Sequence, residues 1–274
     1  MSTGILSGVA GSARRVQSIY TGVGGSARKV AKVYAGVNGI ARLSWERASS
    51  GPLPLNPVFG ENTWEQIGAA IANDEIPDSW AVGDEKEVLL SNNWGTTLQI
   101  YGIKHDDLPG GGKASFTLGM KHTSWWRQNM NATHTNVGGF ASSHLAAWLD
   151  HNFQHLLPQA LVAIIKPVLK NTSLGDMSPT IQADSIRFFT FSEIEVFGAT
   201  TASFPGEGLR YEIFTQGLTD VIKIEHNGTG QPREWWLRSP YAGNAAMFCT
   251  ISPSGSVSRL NAGMNRDICF GLCI

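Results

Sequence analysis

The sequence predicts an α+β domain with long loops, preceded by a short β-rich glycine repeat. Three observations carry this. Helical and strand periodicities occur in one chain without the regular alternation of a doubly wound fold. Glycine is over-used, at 31 of 274 residues, while charged residues are only 16%, well under the roughly 25% usual for globular chains. The third is an internal repeat confined to the first fifty residues.

That repeat reads Gly8-Val9-Ala10-Gly11-Ser12-Ala13-Arg14, returns as Gly22-Val23-Gly24-Gly25-Ser26-Ala27-Arg28, and returns again as Gly36-Val37-Asn38-Gly39-Ile40-Ala41-Arg42. The period is 14 residues. Two readings compete. Val16, Ile19 and Tyr20 fit helical spacing. Yet the segments are short, β-branched and bracketed by glycine, and Asn38-Gly39 is a strong hairpin signal. An even period also keeps strand alternation in phase. Strands are favoured, and a basic flexible arm is the plainer alternative. Residues 1–50 carry seven basic residues and one acid, +6 against −1 for the whole chain, so the remainder carries −7. A ribbon this small buries little surface alone. Symmetric association as a homotrimer is therefore expected.

Gly51-Pro52-Leu53-Pro54-Leu55-Asn56-Pro57 reads as a semi-rigid linker over 51–58. The domain proper is expected from 59 to 274. Thr63-Trp64-Glu65-Gln66 is a capping box opening a helix through Ala72. Val88–Leu90 and Thr97–Ile103 read as strands joined at Asn92-Asn93, and Ala114–Met120 as a third. Ser142 or Ser143 caps a helix carrying Leu145, Trp148 and Leu149. Residues 158–166 read as a helix stopped near Pro167. Ile186–Phe191 reads as one strand, and Ser192-Glu193-Ile194-Glu195 as a second capping box. Short strands follow around Glu234–Arg238, Met247–Ile251 and Ile268–Ile274, with residues 241–266 otherwise read as polar loop.

Composition excludes several classes. Hydrophobic residues at 42% and nine tryptophans rule out wholesale disorder. A net charge of −1 disfavours nucleic-acid binding by bulk electrostatics. No apolar run approaches the about 20 residues of a membrane helix, so no membrane insertion is expected. The start shows no secretory pattern, so synthesis in a cytoplasm is expected. Three cysteines argue against a disulfide framework. Cys269 and Cys273 on a straight strand stand roughly 13 Å apart, too far to bridge, while Cys249 remains a partner for either.

Catalytic constellations are weak. His151 and His155 stand at i, i+4 beside Asp150 but lack a third metal ligand. His105-Asp106-Asp107 offers paired acids, but the glycine run after it reads as a turn. No phosphate loop, nucleophile elbow or Cys-x-x-Cys is present. Trp125-Trp126 and Trp235-Trp236 read as core anchors. No enzymatic activity, metal or cofactor is expected.

The segment Trp235-Trp236-Leu237-Arg238-Ser239-Pro240, a Gly255-centred turn and the terminal Phe270-Gly271-Leu272-Cys273-Ile274 resemble an uncharacterised-domain family of phages, prophages and gut bacteria. Ile76-Pro77-Asp78-Ser79-Trp80, His105-Asp106-Asp107-Leu108 and Ser192–Gly198 match it too. The resemblance covers much of 60–274 and implies a C-type-lectin-like fold, similar to the variable proteins of diversity-generating retroelements. It departs at the C-terminus, where relatives end in Gly-Val-Arg-Pro-Ala-Phe-Cys-Ile. The 14-residue repeat also resembles N-terminal segments of phage tail-associated proteins.

In such proteins the last forty or so residues carry the ligand surface. Here Tyr241, Asn244, Met247, Arg259, Asn261, Met264, Asn265 and Arg266 are the candidate ligand-binding residues, of types that suit adaptable recognition. Trp235, Trp236 and Leu237 are expected to be framework. The implied function is that of a tail-associated receptor-binding protein in a virion, made in the bacterial host cytoplasm. The implied ligand is a host cell-surface protein or glycan, and residues 1–50 meet other tail proteins. The alternative is a virion decoration protein without a receptor role.

Overall fold

The computed structural model describes residues 54–274 apart from 125, 218–219 and 226–229, and six strands within residues 1–53. The Asn38-Gly39 turn, Gly51-Pro52-Leu53 of the linker and Trp125 lie outside the described residues. The chain divides into two compact units, Met1–Gly51 and Pro52–Ile274.

In the first unit the 14-residue period is one hairpin. Strands β1 (Leu6–Val9) and β2 (Ser12–Arg15) pair antiparallel, as do β3 (Ile19–Val23) with β4 (Ser26–Val30) and β5 (Lys32–Val37) with β6 (Ile40–Glu46). The register is the same in each copy except that the third shifts between Val33 and Tyr34. Gly8 faces Ala13, Gly22 faces Ala27 and Gly36 faces Ala41. The strand reading of the repeat therefore prevails over helix. The pairings reach Val9–Ser12, Val23–Ser26 and Val37–Ile40 in the three copies.

The second unit is mixed α+β and mostly β. It opens with residues fastened by Asn62, whose side chain donates to the carbonyls of Asn56 (3.0 Å) and Val58 (2.8 Å). Helix α1 (Trp64–Asn73) starts on the Thr63/Gln66 capping box and ends at Asp74 in the left-handed region. Strands β7 (Glu85–Leu89), β8 (Gly95–Ile103) and β9 (Phe116–Met120) form an antiparallel meander. After β10 (Arg127–Asn129) come α2 (His144–His151), capped by Ser143, and α3 (Gln159–Val162), shorter than the helix read over 158–166. Pro167 and the pairing of Lys166 with Cys273 stop it early.

Next come β11 (Val168–Ser173), β12 (Ile181–Ile186), β13 (Phe188–Thr190) and α4 (Glu193–Phe197). The single strand read at Ile186–Phe191 is thus two elements. β12 pairs with β11 and β13 joins a different sheet. The last strands are β14 (Trp235–Pro240), β15 (Met247–Ile251), β16 (Val257–Asn261), β17 (Asn265–Asp267) and β18 (Phe270–Cys273).

Two five-stranded sheets result, in the orders β13-β18-β9-β8-β7 and β10-β17-β14-β15-β16. The final strand is an interior strand of the first, between β13 and β9, and residues 270–274 are all buried. Gly271 pairs with Gly119 there. A Cβ on Gly119 would lie 2.5 Å from the Tyr101 ring, and one on Gly271 would lie 2.7 Å from Phe189. The glycine pair makes room for rings lying across the sheet.

Candidate binding face

Residues 241–266 hold the strand expected at Met247–Ile251 and two further strands where polar loop was expected. They form the turn after β14, then β15, β16 and β17. The reversal from β15 to β16 is a turn closed by Ser252 N–H donating to the Ser256 carbonyl (2.8 Å), with Gly255 at φ 79°. β16 has few large apolar residues, so its identity comes from pairing with β15. Ile251, Cys249 and Met247 face Val257, Arg259 and Asn261 across the ladder.

All eight candidate residues are exposed or half-buried. The structure gathers them into two groups. Met247 and Asn261 are cross-strand partners, and the Arg259 guanidinium lies 5.2 Å from the Tyr241 ring centroid, within range of a cation–π contact. Asn244 shapes its own turn, its Oδ1 accepting from Ala246 N–H at 2.8 Å. The second group lies at β17. There Arg266 donates to Glu234 at 2.6 Å, and Glu234 accepts from Thr250 at 2.8 Å. The Asn265 carbonyl accepts from Arg127 at 3.2 Å, while Met264 is exposed. Arg266 is therefore committed to an ion pair within the fold.

The framework residues are where packing arguments place them. Trp235, Trp236 and Leu237 are fully buried. Trp235 Nε1 donates to Val221 (3.2 Å) and Trp236 Nε1 to Gln128 (2.8 Å), so neither indole leaves an orphan donor.

Sequence reasoning missed Asn136, which is fully buried. Its Nδ2 donates to the carbonyls of Met247 (2.8 Å) and Asn244 (3.1 Å), with a longer contact to Tyr241 (3.5 Å). Its backbone N–H donates to Ala245 (2.6 Å), and its Oδ1 accepts from Asp176 (2.8 Å). One side chain thus pins the whole β14–β15 turn. Gly175, at φ 73°, lies so close that a Cβ there would sit 1.8 Å from the Asn136 carbonyl. The only sequence signal was the turn-like run Asn136-Val137-Gly138-Gly139.

A buried charge network shares β14 with the tryptophans. A register shift between Trp236 and Pro240 lets Arg238 turn inward, where it is fully buried. It grips Glu195 with two nitrogens, the Nη2–Oε1 bond being 2.8 Å, and donates to the Glu207 carbonyl at 2.5 Å. Lys170 donates to Glu195 Oε1 (2.8 Å), to Asp106 Oδ1 (2.6 Å) and to the Tyr211 hydroxyl. The Tyr211 hydroxyl donates to both Asp106 oxygens (3.0 and 2.9 Å), and Thr117 donates to Oδ2. Burial pushes the Asp106 carboxyl up, but the Lys170 charge and hydrogen bonds outweigh it and hold it well below the usual range. Burial likewise opposes ionisation of Glu195, and Arg238 outweighs it, so its carboxyl also lies low. Burial pushes Glu207 up.

The three cysteines are free and buried, so Cys249 bridges neither of the others. Among the described residues there is no group of three His, Cys, Asp or Glu able to hold a metal ion, and no helix long and apolar enough to cross a membrane.

Residues 114–268, more than half of the chain, match the family model described as a domain of unknown function, DUF6273. The chain belongs to the DUF6273 family. The matched span runs from Ala114 to Ile268. It includes both groups of candidate residues, Asn136, and Lys170, Glu195 and Arg238 of the network; Asp106 and β18 lie outside it. No curated protein and no solved structure matches the chain.

Proposed function

We propose that this DUF6273 chain is a tail-associated receptor-binding protein of a phage or prophage virion. Its second unit, read as C-type-lectin-like, presents the Tyr241–Arg259 face to a protein or glycan on the host surface. Its hairpin repeat attaches it to other tail proteins, with three copies associating. The observation that supports this reading best is the pairing of an aromatic and polar display with a backbone pinned by Asn136. Tyr241, Met247, Arg259 and Asn261 are accessible, yet the turn carrying Tyr241 and Met247 is held by buried hydrogen bonds. Such preorganisation lowers the entropy lost on binding. The resemblance of the Trp235–Pro240 segment and of the repeat to phage proteins supports the virion setting. The reading is of binding without catalysis, cofactor or metal.

A cell-binding assay tests it. The fourfold variant Tyr241→Ala, Met247→Ala, Arg259→Ala, Asn261→Ala is expected to keep most of the wild-type melting temperature and to lose binding to host cells. Normal binding by that variant overturns the assignment of the face. A wild-type protein that enters virions but binds no cells indicates the decoration role instead.

A further inference from the structure

We propose that Lys170 and Asp106 condense into an intramolecular amide, joining Lys170 Nζ to Asp106 Cγ with loss of one water. This is independent of the binding face.

Four groups stand in the places such a reaction needs. The nucleophile is Lys170, 2% exposed, held over the Phe189 ring at 4.0 Å. Its Nζ lies 2.6 Å from Asp106 Oδ1, the oxygen bonded to the carbon under attack. Held proximity of this kind is equivalent to an effective concentration of about 10⁵–10⁸ M in well-oriented systems. The electrophile is the Asp106 carboxyl. Tyr211 donates to both its oxygens and Thr117 to Oδ2, which is where negative charge develops in a tetrahedral intermediate. The proton acceptor is Glu195, whose Oε1 lies 2.8 Å from Nζ on the other side.

At rest the pair is ammonium and carboxylate. Lys170 and the hydrogen bonds hold the Asp106 carboxyl ionised at rest, so the first step, passage of one proton from Nζ to it along their hydrogen bond, is uphill and sets a slow rate. The freed lone pair forms the Nζ–Cγ bond. A second Nζ proton passes by way of Glu195 Oε1 to the departing oxygen. The Cγ–O bond breaks and water leaves. Nothing is oxidised or reduced, and the products are one amide and one water.

Charge balance survives the step. Before it, Lys170 and Arg238 face Asp106 and Glu195. After it, Arg238 and Glu195 remain as a two-bonded ion pair, complete without Lys170. Two buried charges are gone, and burying charge is costly even when paired. Condensation in open water is unfavourable. Here the site is packed by Phe189 and Tyr211, which limits the water available for reversal. The product ties the segment before β9 to β11 across 64 residues, in a chain whose cysteines form no bridge.

Intact mass of the full chain, read after unfolding in denaturant, tests the proposal, followed by fragmentation of a proteolytic digest. Wild type is expected to be lighter than its sequence by one water and to yield a branched peptide joining Lys170 to Asp106. Lys170→Arg is expected at full mass. A wild-type chain at full sequence mass overturns the proposal. So does a mass loss without that branched peptide, or a branch joining Lys170 to Glu195.

Discussion

Replacing Asn136 with alanine separates the pinning of the candidate face from the chemistry of the face itself. The substitution removes two short donations to the β14–β15 turn, at 2.8 and 3.1 Å, and one acceptance from Asp176 at 2.8 Å. Each such bond contributes about 0.5–1.5 kcal/mol net. The Met247 carbonyl keeps a second partner in Tyr241 N–H at 3.0 Å, and Asp176 is exposed enough for water to replace its acceptor. The lower half of the range therefore applies, about 1.5–3 kcal/mol in total. For a domain of this size that is a fall of about 3–12 °C in melting temperature. Asn136→Asp is the sharper variant. It keeps the size and the acceptor for Asp176 but turns an oxygen toward three carbonyls, so it is expected to destabilise more than alanine. Asn244→Ala, which loses one exposed bond, is expected to change stability by less than about 0.5–1 kcal/mol. Thermal melting of the three variants decides the matter. An Asn136→Ala protein within about 0.5 kcal/mol of wild type, the range of ordinary surface substitutions, would refute the pin.

Three further outcomes are expected. Trp236→Ala removes a fully buried indole and its hydrogen bond to the Gln128 carbonyl, so denaturant unfolding is expected to show a loss of about 3–5 kcal/mol. Arg238→Ala leaves Glu195 buried without its two-bonded partner; about 3–5 kcal/mol is expected, and a variant as stable as wild type would show that Glu195 is neutral in the fold. Arg238 holds the Glu195 carboxyl below its ordinary value despite burial. The stability this pair contributes is therefore present above the usual glutamate range, near about 4.3, and is lost as pH falls below it. Lys170 still faces Glu195 and Asp106 in the variant, so acid titration of stability is expected to show a larger loss in wild type than in Arg238→Ala.

The elements legible from sequence were those fixed locally. The Thr63/Gln66 and Ser192/Glu195 capping boxes form as read, because both partners lie within one helical turn. β9 and β15 were legible as short, mostly apolar segments bounded by turn residues. What failed depended on distant partners. β12 carries Gln182, Asp184 and Ser185 and has no apolar face, so only its ladder with β11 makes it a strand. β16 is the same case, a polar edge strand defined by β15. Lys170 gave no signal at all, since alternation in β11 cannot say that one inward position meets Asp106 and Glu195 from other segments. Glu195 gave half a signal. Its role as a cap was visible, but the same Oε2 that accepts from Ser192 also meets Arg238.

That double use explains how the scaffold and the candidate face are joined. β14 carries Trp236, which anchors to Gln128 beside β17, and Arg238, which anchors to the start of α4 through Glu195. Glu193, two residues earlier on α4, accepts from the backbone of Thr201, Ala202 and Ser203, and the Ala202 carbonyl in turn accepts from Ala242 N–H at 2.9 Å. Its own N–H donates to Ser239 at 2.9 Å. The strand leading into Tyr241 is therefore held by α4 through two glutamates and by Asn136 through the turn. Variation at Tyr241, Met247, Arg259 or Asn261 touches none of the side chains in these chains of hydrogen bonds. A surface built this way can change its chemistry without changing its backbone.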